Sequence, residues 1–72
     1  MTDDKLLIEQ TAKRLRKARR DRHLTQVEVA GKAGISQTYY AQVERAKRNP
    51  STSIFIKIIY AINVASKEII GK

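Results

Sequence analysis

Leu24-Thr25-Gln26-Val27-Glu28-Val29-Ala30-Gly31-Lys32-Ala33-Gly34-Ile35-Ser36-Gln37-Thr38-Tyr39-Tyr40-Ala41-Gln42-Val43-Glu44-Arg45 holds two helix starts and one helix stop in a short span. Thr25 and Glu28 have the spacing of a capping box, in which hydroxyl and carboxylate each accept from a backbone N–H that the first helical turn leaves unpaired. Gly34 stands where a helix ends in a left-handed residue, and Ser36 is a second N-cap. Two short helices therefore meet at Gly34. Val29, Ala30 and Ala33 turn inward on the first, with Leu24 packing just ahead of it. Ala30 is small enough for the two helices to cross closely. The second buries Tyr40 and Val43, with Ile35 before them, and turns Gln37, Thr38, Ala41, Gln42 and Arg45 outward. That outer face is polar and rich in hydrogen-bond donors.

Helical spacing continues on both sides. Upstream, Ile8, Leu15 and Ala18 form one stripe, with Leu7 and Ala12 near it, predicting a helix from about Asp4 to Asp21 or Arg22. Asp3 or Asp4 can cap its start and oppose its positive dipole end. His23 follows where the chain must leave the helix, and histidine tolerates positive φ. Downstream, Ala46-Lys47-Arg48-Asn49-Pro50 reads as a basic loop and Ser51 as the cap of a fourth helix. Phe55, Ile58, Ile59 and Ile62 form its stripe. The spacing predicts that it ends near Ile62, is broken at Asn63-Val64, and is followed by a short fifth helix from Ala65 to Ile70 that buries Ile69. The expected class is all-α: a compact five-helix bundle spanning residues 1–72 as one domain.

Composition narrows the function. The chain has 72 residues, 15 Lys and Arg against 7 Asp and Glu, and a net charge of +8. Seven of the ten residues from 13 to 22 are basic (Lys13, Arg14, Arg16, Lys17, Arg19, Arg20, Arg22), opposed by Asp21 alone. Arg45, Lys47 and Arg48 form a second cluster. Neither cluster has the interleaved glutamates that support an ordinary exposed helix, so both point to a polyanion, and to nucleic acid before a membrane surface. Cysteine is absent and His23 is the only histidine, which excludes disulfide staples and thiolate or multi-histidine metal sites. No cofactor is expected, and no nucleophile–base pair suggests an enzyme. The N-terminus is acidic where a signal peptide would be basic. Ile54 to Val64 is too short to span a bilayer and carries Lys57. A cytoplasmic protein is expected.

The two helices around Gly34 make a helix-turn-helix. Residues 14–70 resemble the Cro/C1-type, XRE-like helix-turn-helix family of DNA-binding regulators. The resemblance rests on Leu24-Thr25-Gln26, Val29-Ala30, Ala33-Gly34-Ile35-Ser36, Tyr39-Tyr40, Val43-Glu44-Arg45, Lys47-Arg48-Asn49-Pro50-Ser51 and Ala61-Ile62-Asn63-Val64, all at the right mutual spacing. It implies a lambda repressor-like fold with the helix-turn-helix at about residues 25–45. The third helix would lie in the major groove of double-stranded DNA, where each base pair shows a distinct donor and acceptor pattern. Gln37, Thr38 and Gln42 would then face base edges, with Gln37 or Gln42 pairing with adenine. Gln26, Tyr39, Arg45, Lys47, Arg48, Asn49 and Arg16 would contact the DNA backbone. Arg19 and Glu44 match positions that form a partly buried ion pair. Three positions depart from the pattern. His23 and Ala46 replace glycines, and Ala65 replaces the Ser or Thr cap of the last helix. A left-handed alanine costs on the order of 1 kcal/mol, which argues for a different path through the 46–49 loop.

Helix four carries more apolar surface than one core face uses. Ile56 and Tyr60 lie one turn apart on another side, and Ile54 and Ile70 are further candidates for exposure. Such a patch suggests association, so Ile54, Ile56, Tyr60 and Ile70 are the expected homodimer interface. A two-fold dimer would read a palindrome with half-sites ~10 bp apart. Repressors, antitoxins and the controllers of restriction–modification systems are stand-alone regulators of this size; Thr38-Tyr39 and Arg48-Asn49-Pro50-Ser51 look most like the controllers. The competing reading is an antitoxin or other module that uses the same fold to bind a protein. Nonspecific compaction of nucleic acid is a third.

Overall fold

The computed structural model describes residues 4–70, and the side chains of 4–65. Four helices follow one another: α1 Asp4–Asp21, α2 Gln26–Ala33, α3 Gln37–Glu44 and α4 Thr52–Ile70. No strand occurs among the described residues. No helix among them is long and apolar enough to cross a membrane.

The starts follow the capping chemistry. Thr25 Oγ1 accepts from Glu28 N at 3.1 Å and Glu28 Oε1 accepts from Thr25 N at 2.7 Å, completing the capping box. Ser36 Oγ accepts from Tyr39 N at 3.0 Å and Ser51 Oγ from Ile54 N at 3.2 Å.

The first three helices stop in one way. His23, Gly34 and Ala46 all have left-handed backbones, with φ of 60°, 73° and 61°. At each stop the next residue's N–H reaches back five residues. Leu24 donates to the Arg19 carbonyl at 3.1 Å, Ile35 to Ala30 at 3.0 Å and Lys47 to Gln42 at 2.8 Å. Each left-handed residue also donates to a carbonyl three residues back. This is the Schellman arrangement, which satisfies carbonyls that would otherwise be orphaned.

Ala46 therefore does not divert the 46–49 loop onto another path. The two backbone bonds hold it left-handed despite its Cβ. Ala46→Gly is expected to raise folding stability by about 0.5–1 kcal/mol in urea denaturation. Relief of the left-handed strain, of about 1–2 kcal/mol, is offset in part by the greater freedom of glycine in the unfolded chain.

The fifth helix is not separate. α4 runs unbroken through Asn63 and Val64 to Ile70. Ala65, expected at the start of a new helix, lies mid-helix and is buried. Neither proline nor glycine interrupts this stretch, and an exposed Asn costs a helix only a few tenths of a kcal/mol. Burial of Ile58, Ala61, Ile62 and Ala65 at helical spacing carries the same face past the expected break.

That face packs mainly on α2, which also packs on α3, while α1 closes the bundle against α3 and α4. Leu15, Leu24, Val29, Ala30, Ala33, Tyr40 and Val43 complete the core. Ile59, expected in the core stripe, is 37 % exposed, and Ala61 takes the inward place. Ile54, expected in the exposed set, is half-buried against the core. Ile56 and Tyr60 are exposed at 59 % and 65 %. The side chains of Ile69 and Ile70 lie outside the described residues.

Candidate nucleic-acid interface

The position of α3 depends on its last residue. Glu44 is almost fully buried, at 1 % exposure, and carries a carboxylate. Burial opposes its ionisation, yet the donors around it win, and its pKa lies below the ordinary value. Arg19 supplies two of them, Nε to Oε2 at 2.6 Å and a terminal nitrogen to Oε1 at 3.0 Å. This two-pronged geometry is the strong form of the contact. Its third nitrogen donates to the Leu24 carbonyl at 2.9 Å, so one guanidinium ties α1, the α1–α2 turn and α3. The hydrogen bond to Glu44 raises the Arg19 pKa further.

Gln26 Nε2 also donates to Glu44 Oε1, at 3.1 Å, and Arg16 donates to the Glu44 backbone carbonyl. The Tyr40 hydroxyl is buried beside the pair without a hydrogen bond of ordinary geometry. Burial first, and then the nearby carboxylate, push its ionisation well above the usual range.

The expected ion pair is thus present, and it draws in two residues expected on phosphates. Gln26 keeps its place in the first turn of α2, but its amide faces Glu44. Arg16 is half-buried over the C-terminal end of α3 rather than free on the surface of α1. The physical reason is the same for both: a buried anionic residue and an unpaired helix-end carbonyl recruit nearby donors. No local pattern could reveal this, because the partners stand 18 and 28 residues apart.

The opposite side of α3 faces solvent. Gln37, Thr38 and Arg45 are exposed, and Tyr39, Ala41 and Gln42 are half-buried. Lys47, Arg48 and Asn49 stand exposed just beyond the helix end. The loop folds back on the helix: Arg48 Nε donates to Gln42 Oε1 at 3.1 Å, and its guanidinium carbon lies 5.7 Å from the centre of the Tyr39 ring. Along the sequence Arg48 and Gln42 stand as separate contacts; the fold joins them.

On α1, Lys13, Arg14, Lys17 and Arg20 are exposed, and Lys17 pairs with Asp21 one turn away at 2.8 Å. An exposed pair of this kind contributes little to stability. It leaves the outer face of α1 strongly basic. Arg22 instead donates to the Ala18 carbonyl at 3.1 Å and helps end α1. The arrangement is an uncharged, donor-bearing helix face flanked by two basic elements.

Comparison with known proteins agrees with this geometry. A helix-turn-helix family model matches residues 15–69. An immunity repressor protein of Bacillus phage phi105 is 37 % identical over 59 residues, which cover 82 % of this chain and 41 % of that protein. An uncharacterized HTH-type transcriptional regulator of Sinorhizobium fredii is 36 % identical over 52 residues, covering 72 % of this chain and 68 % of its own length. The chain thus spans about two-fifths of the phage repressor and about two-thirds of the second relative. The chain therefore belongs to the Cro/C1-type helix-turn-helix family of DNA-binding regulators.

Proposed function

We propose that this protein is a sequence-specific transcriptional regulator that reads double-stranded DNA through α3. The observation that carries this is the outward face of α3, where Gln37, Thr38 and Gln42 offer amide and hydroxyl groups without net charge while basic residues flank them. Phosphate contacts position a protein on the duplex and base contacts specify sequence. Lys47, Asn49, Arg45 and the exposed cations of α1 suit the first role. The positive end of α2, where Gln26 sits, suits a phosphate as well. The relatives named above, one a repressor and one a transcriptional regulator, support the same reading.

The reading is tested by selecting bound duplexes from random DNA. A short inverted repeat with half-sites ~10 bp apart is expected. Complete competition by random DNA at equal mass would refute it. Gln37→Ala is expected to lower discrimination at one base pair by about 1–3 kcal/mol while leaving binding to random DNA unchanged, as measured by titration against single-base variants of the selected site.

The regulator acts as a homodimer through α4. Ile56 and Tyr60 support this: two large side chains, exposed side by side along one face, gain burial only against a partner. Lys32 and Lys57 edge the same groove. Tyr60→Glu is expected to shift the molecule toward monomer in sedimentation equilibrium, and to weaken operator binding, with its helical signal unchanged and the concentration dependence of its melting lost. A wild-type chain that is monomeric at micromolar concentration would refute the dimer. Repression by a concentration-dependent dimer is the mode we favour, with control of a restriction–modification system as its setting. The same apolar face is the observation that favours the second reading, an antitoxin that binds a partner protein there. Selection of a defined DNA site by the chain alone would favour the first.

A further inference from the structure

We propose that Arg48 sets the base preference of Gln42, so that this part of α3 selects guanine rather than adenine. The inference rests on α3 being the reading helix and goes one step further, to the chemistry of one base pair.

A free glutamine amide matches adenine, donating to N7 while its carbonyl accepts from the N6 amino group. Gln42 is not free. Its Oε1 accepts from Arg48 Nε at 3.1 Å. The orientation of the amide follows from chemistry, because arginine has no acceptor and only the oxygen of Gln42 can receive that N–H. The amide nitrogen is therefore turned away from Arg48, with two hydrogens to donate.

The carbonyl keeps a second lone pair, so occupancy alone does not exclude adenine. What excludes it is the neighbour. Arg48 brings a positive charge and further N–H groups to the same place, and the Tyr39 ring under its guanidinium, 5.7 Å away, holds it there. Gln42 and Arg48 together present donors almost exclusively. An adenine edge offers one acceptor and an amino group that would oppose those donors. A guanine edge offers two acceptors, N7 and O6. Tyr39 and Arg48 are thus positioning residues for Gln42, built from a helix and a loop that the left-handed Ala46 turns back toward each other.

The experiment is selection from random duplex DNA by the wild-type chain and by Gln42→Ala, Arg48→Ala and Arg48→Lys. For the wild type, one guanine per half-site is expected, favoured over adenine by about 5- to 150-fold, the span of one bidentate contact. Gln42→Ala should lose the preference at that position alone. Arg48→Ala should move it from guanine to adenine and leave the other positions as they were. Arg48→Lys, which keeps a positive charge and N–H donors beside the amide but not the planar group over Tyr39, should keep a weakened guanine preference and most of the overall affinity. Both side chains lie outside the core, and an unchanged helical signal verifies folding.

Adenine at this position in the wild type would overturn the proposal. So would a guanine that survives in Arg48→Ala, even if that variant binds all DNA more weakly. Failure to enrich any sequence would instead overturn the reading of α3 as a sequence-specific surface, and the inference with it.

Discussion

Glu44→Ala is expected to cost about 3–5 kcal/mol of folding stability, the usual penalty for leaving one member of a buried pair without its partner. Arg19, itself only 9 % exposed, would keep its charge and lose both bonds to Glu44. Gln26 would lose its acceptor as well. A chain of this size has a total stability of roughly 4–11 kcal/mol, so the variant loses at least about a quarter of it and should melt at a clearly lower temperature. Urea denaturation at low temperature measures the loss, and a value under about 1 kcal/mol would contradict the buried pair. Replacing both residues by apolar ones should recover most of it, because an apolar pair of similar volume carries no desolvation cost. The double-mutant cycle isolates that coupling.

The same pair gives stability a direction with pH. The pKa of Glu44 is lower in the folded chain than the ordinary carboxylate value. The folded state therefore holds its proton less tightly than the unfolded state does. Its contribution is complete above the unfolded carboxylate range and is lost as pH falls through the lowered folded value. Acid unfolding should follow this titration, and Glu44→Gln should flatten the acid limb of the pH–stability curve.

Ile58→Ala is expected to cost about 2–5 kcal/mol, the range for removing most of a fully buried aliphatic side chain. Ile58 has no exposed surface and belongs to the core cluster that also holds Leu15, Val29 and Tyr40. The neighbouring Ile59 is 37 % exposed, and Ile59→Ala should cost less, about 1–2 kcal/mol, since over a third of its surface already lies in water. Two adjacent isoleucines with such different effects, read as the shift in denaturation midpoint, test the assigned face of α4 directly. Equal effects would mean that the helix is rotated from the face described.

The helix-turn-helix was legible because its signals are local. Thr25 with Glu28, Gly34 and Ser36 each act within a few residues of themselves, and all of them behave as their spacing predicts. The outer face of α3 was legible for the same reason, since Tyr40 and Val43 mark the buried side. The end of α4 was misread because Asn63-Val64 is a weak break, and a weak local preference yields to burial on either side of it. Ile59 was misread because several apolar residues in succession leave helical spacing more than one solution, and only the helices packed against α4 select one. Ala46 was misread in the opposite sense: its intrinsic preference was judged correctly, but two backbone bonds outweigh it.

Charge shows the same division. From the sequence, Arg16 and Arg19 belong to a basic cluster and Gln26 lies just beyond it; the family resemblance puts Arg16 and Gln26 on the DNA backbone and pairs Arg19 with Glu44. In the folded chain all three converge on Glu44, and Arg48 converges on Gln42. The sequence by itself determined the helices' starts, the turn between α2 and α3, and the polar character of the reading face, since those depend on neighbours along the chain. Only the tertiary structure decided which cations remain available to a polyanion and which amide is already engaged, because a donor's partner is set by distance in space, and the anions and carbonyls that capture these donors lie up to 28 residues away.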